Sequence, residues 1–166
     1  MELLLGCGRS RQKRLASKES SKWKKLVTLD MNPEVGADIV HDLNNLPYPL
    51  DGGKFDEIHA YDVIEHLGTQ GDFVSFFKFF DEIYRLLKPG GMFYCITPSW
   101  DGLWAWSDPG HTRIISEGTI HFLDQDNYDQ VGKTAMTDYR YWYKSNFAID
   151  HAQHNSGAFA FVLRKK

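Results

Sequence analysis

Leu3-Leu4-Leu5 is an unbroken apolar run that stops at Gly6-Cys7-Gly8, the pattern of a short buried strand followed by a tight turn. Leu26-Val27-Thr28-Leu29-Asp30 repeats this design and closes at Asn32-Pro33. Ala37–Val40 predicts a short third strand, and Phe55–Tyr61, after Asp51-Gly52-Gly53, a fourth. From about Asp72 to Leu87 the apolar positions Phe73, Phe76/Phe77, Phe80, Ile83/Tyr84 and Leu87 recur at three- and four-residue steps, which predicts an amphipathic helix. Lys88-Pro89-Gly90-Gly91 is expected to stop it, and Met92–Thr97 to form a fifth strand ended by Pro98. Residues 98–115 read as a long loop, followed by a helical stretch around Asp124–Val131. The C-terminal part reads as two longer strands joined at Asn155-Ser156-Gly157, with Tyr139–Lys144 alternating strictly on a strand.

Strands alternating with a helix in this order define an α/β protein, a Rossmann-like open sheet, mostly parallel, ending in a reversed C-terminal hairpin strand. Such sheets bind ligands beyond the carboxyl ends of their strands, here just after Leu5, Leu29, Val40, Tyr61 and Thr97. No repeat or linker divides the chain, so residues 1–166 are expected to form a single domain.

Composition narrows the class without naming a function. The chain has 166 residues, 42% hydrophobic and 25% charged, with no apolar run near the ~20 residues of a membrane-spanning helix. The N-terminus lacks the basic start and longer apolar stretch of a secretory signal. Cys7 and Cys95 are too few for a disulfide framework, so the expected setting is a reducing cytoplasm. The net charge of −3 conceals a basic stretch at residues 9–25, where eight Lys and Arg stand against the single Glu19. That stretch can attract an anionic partner or serve as a solvated connection.

The residues at the strand ends carry the chemistry. Gly6-Cys7-Gly8 lets the backbone turn sharply and approach a ligand. Asp30, 22 residues past Gly8, is placed to accept hydrogen bonds from ribose hydroxyls, and Asp42 from an adenine amino group. A dinucleotide would want a third glycine, but position 11 is Arg11. An adenosine ligand without phosphates, such as S-adenosylmethionine, suits this set better.

Leu4-Leu5-Gly6-Cys7-Gly8, Leu29-Asp30, His41-Asp42-Leu43 with Leu46-Pro47, Phe55-Asp56-Glu57-Ile58, Val63-Ile64-Glu65-His66-Leu67 and Leu86-Leu87-Lys88-Pro89-Gly90-Gly91 together resemble the class I S-adenosylmethionine-dependent methyltransferases, from Leu3 to about Asp129. Within them the chain is similar to a compact branch with a shortened first helix and a D-P-x-H element after strand five, here Asp108-Pro109-Gly110-His111. The resemblance implies a seven-stranded sheet and S-adenosylmethionine as cofactor. It implies that Gly6, Cys7 and Gly8 pass under the methionine portion, that Asp30 binds the ribose and that Met31 covers the adenine. Asp42 and Leu43 would read the adenine edge, and Ala60 and Tyr61 would contact the methionine amine. The helix that often precedes strand one is expected to be missing, leaving an open pocket suited to a macromolecular acceptor or to closure by a second subunit.

Methyl transfer mainly requires alignment and exclusion of water. Candidates for acid–base work are Glu65, His66 and His111. Asp62-Val63-Ile64-Glu65-His66 is similar to the E-x-x-E-H of small-RNA 2′-O-methyltransferases and ubiquinone-pathway O-methyltransferases. That likeness implies a divalent metal on Asp62, Glu65, His66 and His111; the other reading is capping and packing. Trp100, Trp104 and Trp106 can stack on an acceptor, dry the site as a lid, or form a small core under the loop. Tyr139–Lys144 can offer a stacking platform to nucleic acid, or one buried and one solvated strand face. His151 and His154 are expected at the surface. Acceptor and oligomeric state stay open, a homo-oligomer included. A non-catalytic S-adenosylmethionine-binding subunit and an NAD(P)-dependent oxidoreductase are the alternatives.

Overall fold

The computed structural model describes residues 1–15, 21–155 and 157–166. Positions 16–20 of the basic stretch and Ser156 of the hairpin turn lie outside the described residues. Seven strands form one sheet: β1 Glu2–Leu5, β2 Leu26–Asp30, β3 Ile39–Val40, β4 Phe55–Tyr61, β5 Leu87–Pro98, β6 Phe147–Asn155 and β7 Ala158–Lys165. Their spatial order is β3-β2-β1-β4-β5-β7-β6. Strands β1 to β5 pair in parallel, and β7 runs antiparallel to both β5 and β6. The order reverses beside β1, so the ends of β1 and β4 open onto one crevice.

The expected helix is α1, Phe73–Leu86, started by Asp72, whose side chain accepts from Ser75 N. Its stripe of Phe76, Phe77, Phe80 and Ile83 packs in one core with Leu3, Leu5, Ile58, Phe93 and Phe161. Each such side chain contributes about 1.5–3 kcal/mol by leaving water. Alternation along the strands turns Glu2, Glu57, His59 and Tyr94 to the opposite face. No helix covers that face among the described residues between β1 and β2. Lys13 and Trp23 lie there instead, Lys13 Nζ 2.6 Å from Glu57 Oε2 and 3.2 Å from Glu2 Oε1. Trp23 meets His59 edge-on with ring centroids 4.9 Å apart, and Tyr94 stacks on His59 at 4.7 Å.

Four expectations change. Lys88-Pro89-Gly90-Gly91 does not separate helix from strand: β5 starts at Leu87, paired with Phe55, and the ladder resumes at Met92–Glu57, so the four residues bulge out of it. The loop after β5 contains α2, Leu103–Ser107, and is followed by α3, Glu117–His121, whose start Ser116 caps. The stretch near Asp124–Val131 is a 3-10 turn at Gln125–Gln130. Tyr139–Lys144 is a turn and not a strand. Tyr143 N donates to Tyr139 O at 2.9 Å, and both rings reach the α1 core, where Tyr143 stacks on Phe77 at 4.6 Å. Spacing of four, not of two, buries these rings, and Tyr141 and Trp142 stay exposed. This removes the strand on which the stacking platform rested.

Candidate functional site

The glycine turn after β1 is built by exclusion. Gly6 sits at φ +56°, and a Cβ there would stand 2.4 Å from Val63 Cγ2, so only glycine lets the turn lie against the end of β4. Gly8 N donates to Asp30 Oδ2 at 2.8 Å, and Asn32 N donates to Asp30 Oδ1 at 2.9 Å. Each carboxylate oxygen keeps acceptor capacity beyond these bonds. Arg11, at the position of the missing third glycine, donates to Gly8 O at 2.6 Å and to Val35 O at 3.0 Å, tying this turn to the β2–β3 connection. The sequence marks Arg11 as a missing third glycine and as part of a basic stretch, but not as a tie between two loops. Met31 projects into solvent. Asp42 Oδ1 accepts from Asn44 N, while the buried Leu43 gives its carbonyl to Tyr48 Oη.

At the end of β4, Ala60 is buried, and the Tyr61 hydroxyl lies 2.6 Å from His59 Nδ1 and accepts from Leu15 N. Burial pushes that phenol up to about 12. A hollow of about 110 Å³ is bounded by Leu4, Gly6, Cys7, Arg14 and Tyr61. Two larger hollows of about 370 and 460 Å³ lie away from it, on either side of Arg113. Arg113 is a strut: its guanidinium donates to Leu67 O, Asp72 O and Ser75 Oγ.

Beyond Tyr61 the chain turns abruptly. Asp62 adopts φ +57°, unusual for a residue with a side chain, and its carboxylate pairs with Arg14. This points Asp62 out of the group expected with Glu65, His66 and His111. Those three do come together: one ligand atom from each lies within 4.8 Å of the others. Three contacts across the loop after β5 assemble them. Thr112 N and Arg113 N donate to Glu65 O at 2.9 and 3.1 Å, and Gly110 O lies 2.9 Å from His66 Nδ1. The imidazoles of His66 and His111 meet edge-on at 4.6 Å. Glu65 is 2% exposed; its Oε2 accepts from Thr97 Oγ1, and its Oε1 has no hydrogen-bond partner among the described residues. Burial raises this carboxyl above its ordinary value. Asp108 Oδ2 stands 3.9 Å from His111 Nε2.

Trp100, Trp104 and Trp106 are all at least half exposed, which excludes a small core beneath the loop and leaves an aromatic rim. His151 is exposed, but His154 is half-buried, stacked on Phe159 and 2.9 Å from Ser99 Oγ. No helix among the described residues is long and apolar enough to cross a membrane.

The sheet order, with its glycine turn after β1 and acid after β2, defines the fold of the S-adenosylmethionine-dependent methyltransferases. Residues 3–95 match the family described as "Methyltransferase domain", and the chain belongs to that family. An S-adenosylmethionine-dependent methyltransferase from Mesorhizobium loti superposes with a TM-score of 0.58 at 17% identity, over 99% of this chain and 90% of its own. One from Archaeoglobus fulgidus gives 0.62 at 15% identity, over 99% and 85%. The N-methyltransferase NodS of Bradyrhizobium japonicum, in complex with S-adenosyl-L-homocysteine, gives 0.56 at 15% identity, over 99% and 76%. No curated protein matches the chain in sequence.

Proposed function

We propose that this methyltransferase takes S-adenosylmethionine into the crevice after β1, β2 and β4 and transfers its methyl group in line to an acceptor O, N or C atom. The observation that carries the reading is the Gly8–Asp30 contact, which fixes a carboxylate with spare acceptor capacity at the lip of a turn that admits no Cβ at Gly6. In this reading Asp30 holds the ribose hydroxyls, and Asp42 and Leu43 take the adenine edge. Met31 folds over the base, and Gly6, Cys7, Gly8, Ala60 and Tyr61 line the methionine end. Glu65, His66 and His111 then stand on the acceptor side, with the aromatic rim of Trp100, Trp104 and Trp106 above them.

The mechanism asks little chemistry of the protein. The sulfonium already activates the methyl carbon, so the chain supplies alignment and a dry site. Calorimetric titration with S-adenosylhomocysteine tests the cofactor reading. Binding should be one to one and weaken at least ~10-fold in Asp30→Asn, as expected when charge-assisted bonds to two hydroxyls are lost. Binding of NAD(P) in place of S-adenosylhomocysteine would favour the oxidoreductase alternative. Release of S-adenosylhomocysteine on addition of an acceptor separates an enzyme from a cofactor-binding subunit.

A further inference from the structure

We propose that Glu65, His66 and His111 form an open binding site for one divalent transition-metal ion. The site deepens the methyltransferase reading, because it lies immediately past the β4 end where the cofactor is expected. The ion itself would bind whether or not that reading holds.

Two buried polar atoms beside the β4 end are left without compensation among the described residues. Glu65 is 2% exposed, and among the described residues its Oε1 has no hydrogen-bond partner. The side chain of His111 is 8% exposed, its Nδ1 also lacks a partner, and its Nε2 stands 4.0 Å from that same Glu65 oxygen. Buried polar atoms are almost always satisfied, so two orphans on facing side chains call for a missing partner. His111 Nε2 does not supply it to Glu65 Oε1, since 4.0 Å is too long for a hydrogen bond. A single cation held between Glu65 and one ring nitrogen of His111 would satisfy the carboxylate.

The third donor is prepared for the same task. The Nδ1 of His66 faces Gly110 O at 2.9 Å, which places a proton on Nδ1 and leaves Nε2 with a free lone pair. A ligating histidine fixed through its other nitrogen is the usual arrangement at metal sites. His66 is exposed, which gives an ion a route in from solvent. Asp108 flanks the group, 3.9 Å from His111 Nε2.

Size and donor type then choose the ion. Donors on one metal, each about 2.0–2.2 Å from it, sit roughly 3–3.5 Å apart. The present limit of 4.8 Å therefore asks for closure by roughly 1.3–1.8 Å, within the reach of side-chain rotation. Two imidazoles and one carboxylate suit Mn²⁺, Fe²⁺, Co²⁺ or Zn²⁺, whereas Mg²⁺ and Ca²⁺ prefer all-oxygen sets. Three protein donors leave coordination positions open to water or to an oxygen of the acceptor. Asp62, which the E-x-x-E-H likeness would include, is not among the donors because it pairs with Arg14.

The test uses the full chain, stripped with EDTA and titrated separately with Mn²⁺ (free ion followed by electron paramagnetic resonance) and Co²⁺ (followed by visible absorption). One ion per chain is expected, with Co²⁺ bands that report nitrogen and oxygen ligation. Glu65→Gln, His66→Gln and His111→Gln should each weaken binding at least ~10-fold, and Asp62→Asn should leave it unchanged. Circular dichroism and S-adenosylhomocysteine binding check that each variant is folded. No stoichiometric ion in the wild type, or wild-type affinity in folded Glu65→Gln and His111→Gln chains, overturns the proposal. Displacement of Mn²⁺ by equimolar Mg²⁺ also overturns it. If S-adenosylhomocysteine binds and no metal does, only the metal site fails; if metal binds and S-adenosylhomocysteine does not, only the cofactor reading fails.

Discussion

Lys13 and Glu57 meet behind the sheet, Nζ 2.6 Å from Oε2, with the lysine side chain 1% exposed. The same ammonium reaches Glu2 Oε1 and lies 5.1 Å from the centroid of the Trp23 ring. A buried charge of this kind contributes little when complete, but removing one member leaves the rest unpaired. Lys13→Met should therefore destabilise the fold by about 3–5 kcal/mol, read from urea denaturation. A loss under ~1 kcal/mol, the range of a surface pair, would mean that the pair is open to water.

Acid should loosen the same region from neutrality downward. Burial holds His59 below its ordinary value against the pull of Glu57, and the His59 hydrogen bond, with Lys13 behind it, holds Glu57 down to about 2. For both groups the unfolded chain takes up its proton at a higher pH than the folded one, so stability falls as pH falls. The loss begins as unfolded His59 protonates near its ordinary value of 6.5, and it deepens as Glu57 passes from its ordinary 4.5 toward 2. Melting temperature against pH should show both limbs, the lower one flattened in Glu57→Gln. A melting temperature that climbs on acidification contradicts the assignment.

Gly6→Ala places a methyl 2.4 Å from Val63 Cγ2 and asks alanine to hold φ +56°. Overpacking of this kind costs about 1–3 kcal/mol, and the backbone contributes roughly 1 kcal/mol more. Adding Val63→Ala should recover the steric part alone. Denaturation midpoints of the two single variants and the double variant measure the coupling; strict additivity would show that the residues do not press on one another.

The Tyr143 hydroxyl is buried without a hydrogen-bond partner among the described residues, and burial pushes its ionisation far upward. Tyr143→Phe keeps the ring stacked on Phe77 and removes the unsatisfied oxygen, so stability should hold or rise by about 1 kcal/mol. A clear drop in the calorimetric melting temperature would reveal a hidden partner for that oxygen.

Trp104 and Trp106 are about two-thirds or more exposed. Trp104→Ala and Trp106→Ala should change stability by no more than ~0.5 kcal/mol while raising the KM for an acceptor. An unchanged KM in both variants would remove the rim from acceptor binding.

Much of this was legible beforehand where one rule dominated. The span Phe55–Tyr61 reads correctly because the turn at Asp51-Gly52-Gly53 marks where its strand can begin, and α1 because its phenylalanines keep a helical period. Tyr139–Lys144 misled because spacing of two and spacing of four share Tyr139 and Tyr143, and only packing on Phe77 decides between them. Lys88–Gly91 misled because Pro and Gly mark a break in pairing, which a bulge satisfies as well as a turn does. The grouping of Glu65 with His111 follows from the E-x-x-E-H likeness alone and from no local pattern in the chain. The contacts that produce it, Thr112 and Arg113 amides on Glu65 O, carry no sequence signature. Asp62 was misplaced because adjacency along the chain does not reveal a left-handed residue.

The polar cluster on the sheet face behind α1 has one more consequence. The two sides of the sheet resist different insults: the phenylalanine layer yields to agents that weaken apolar burial, and the Lys13 layer yields to protons. The strand ends at Leu5, Asp30 and Tyr61 lie between these layers. Acid and denaturant thus attack one sheet from opposite faces, so resistance to either treatment measures only half of what holds those ends in place.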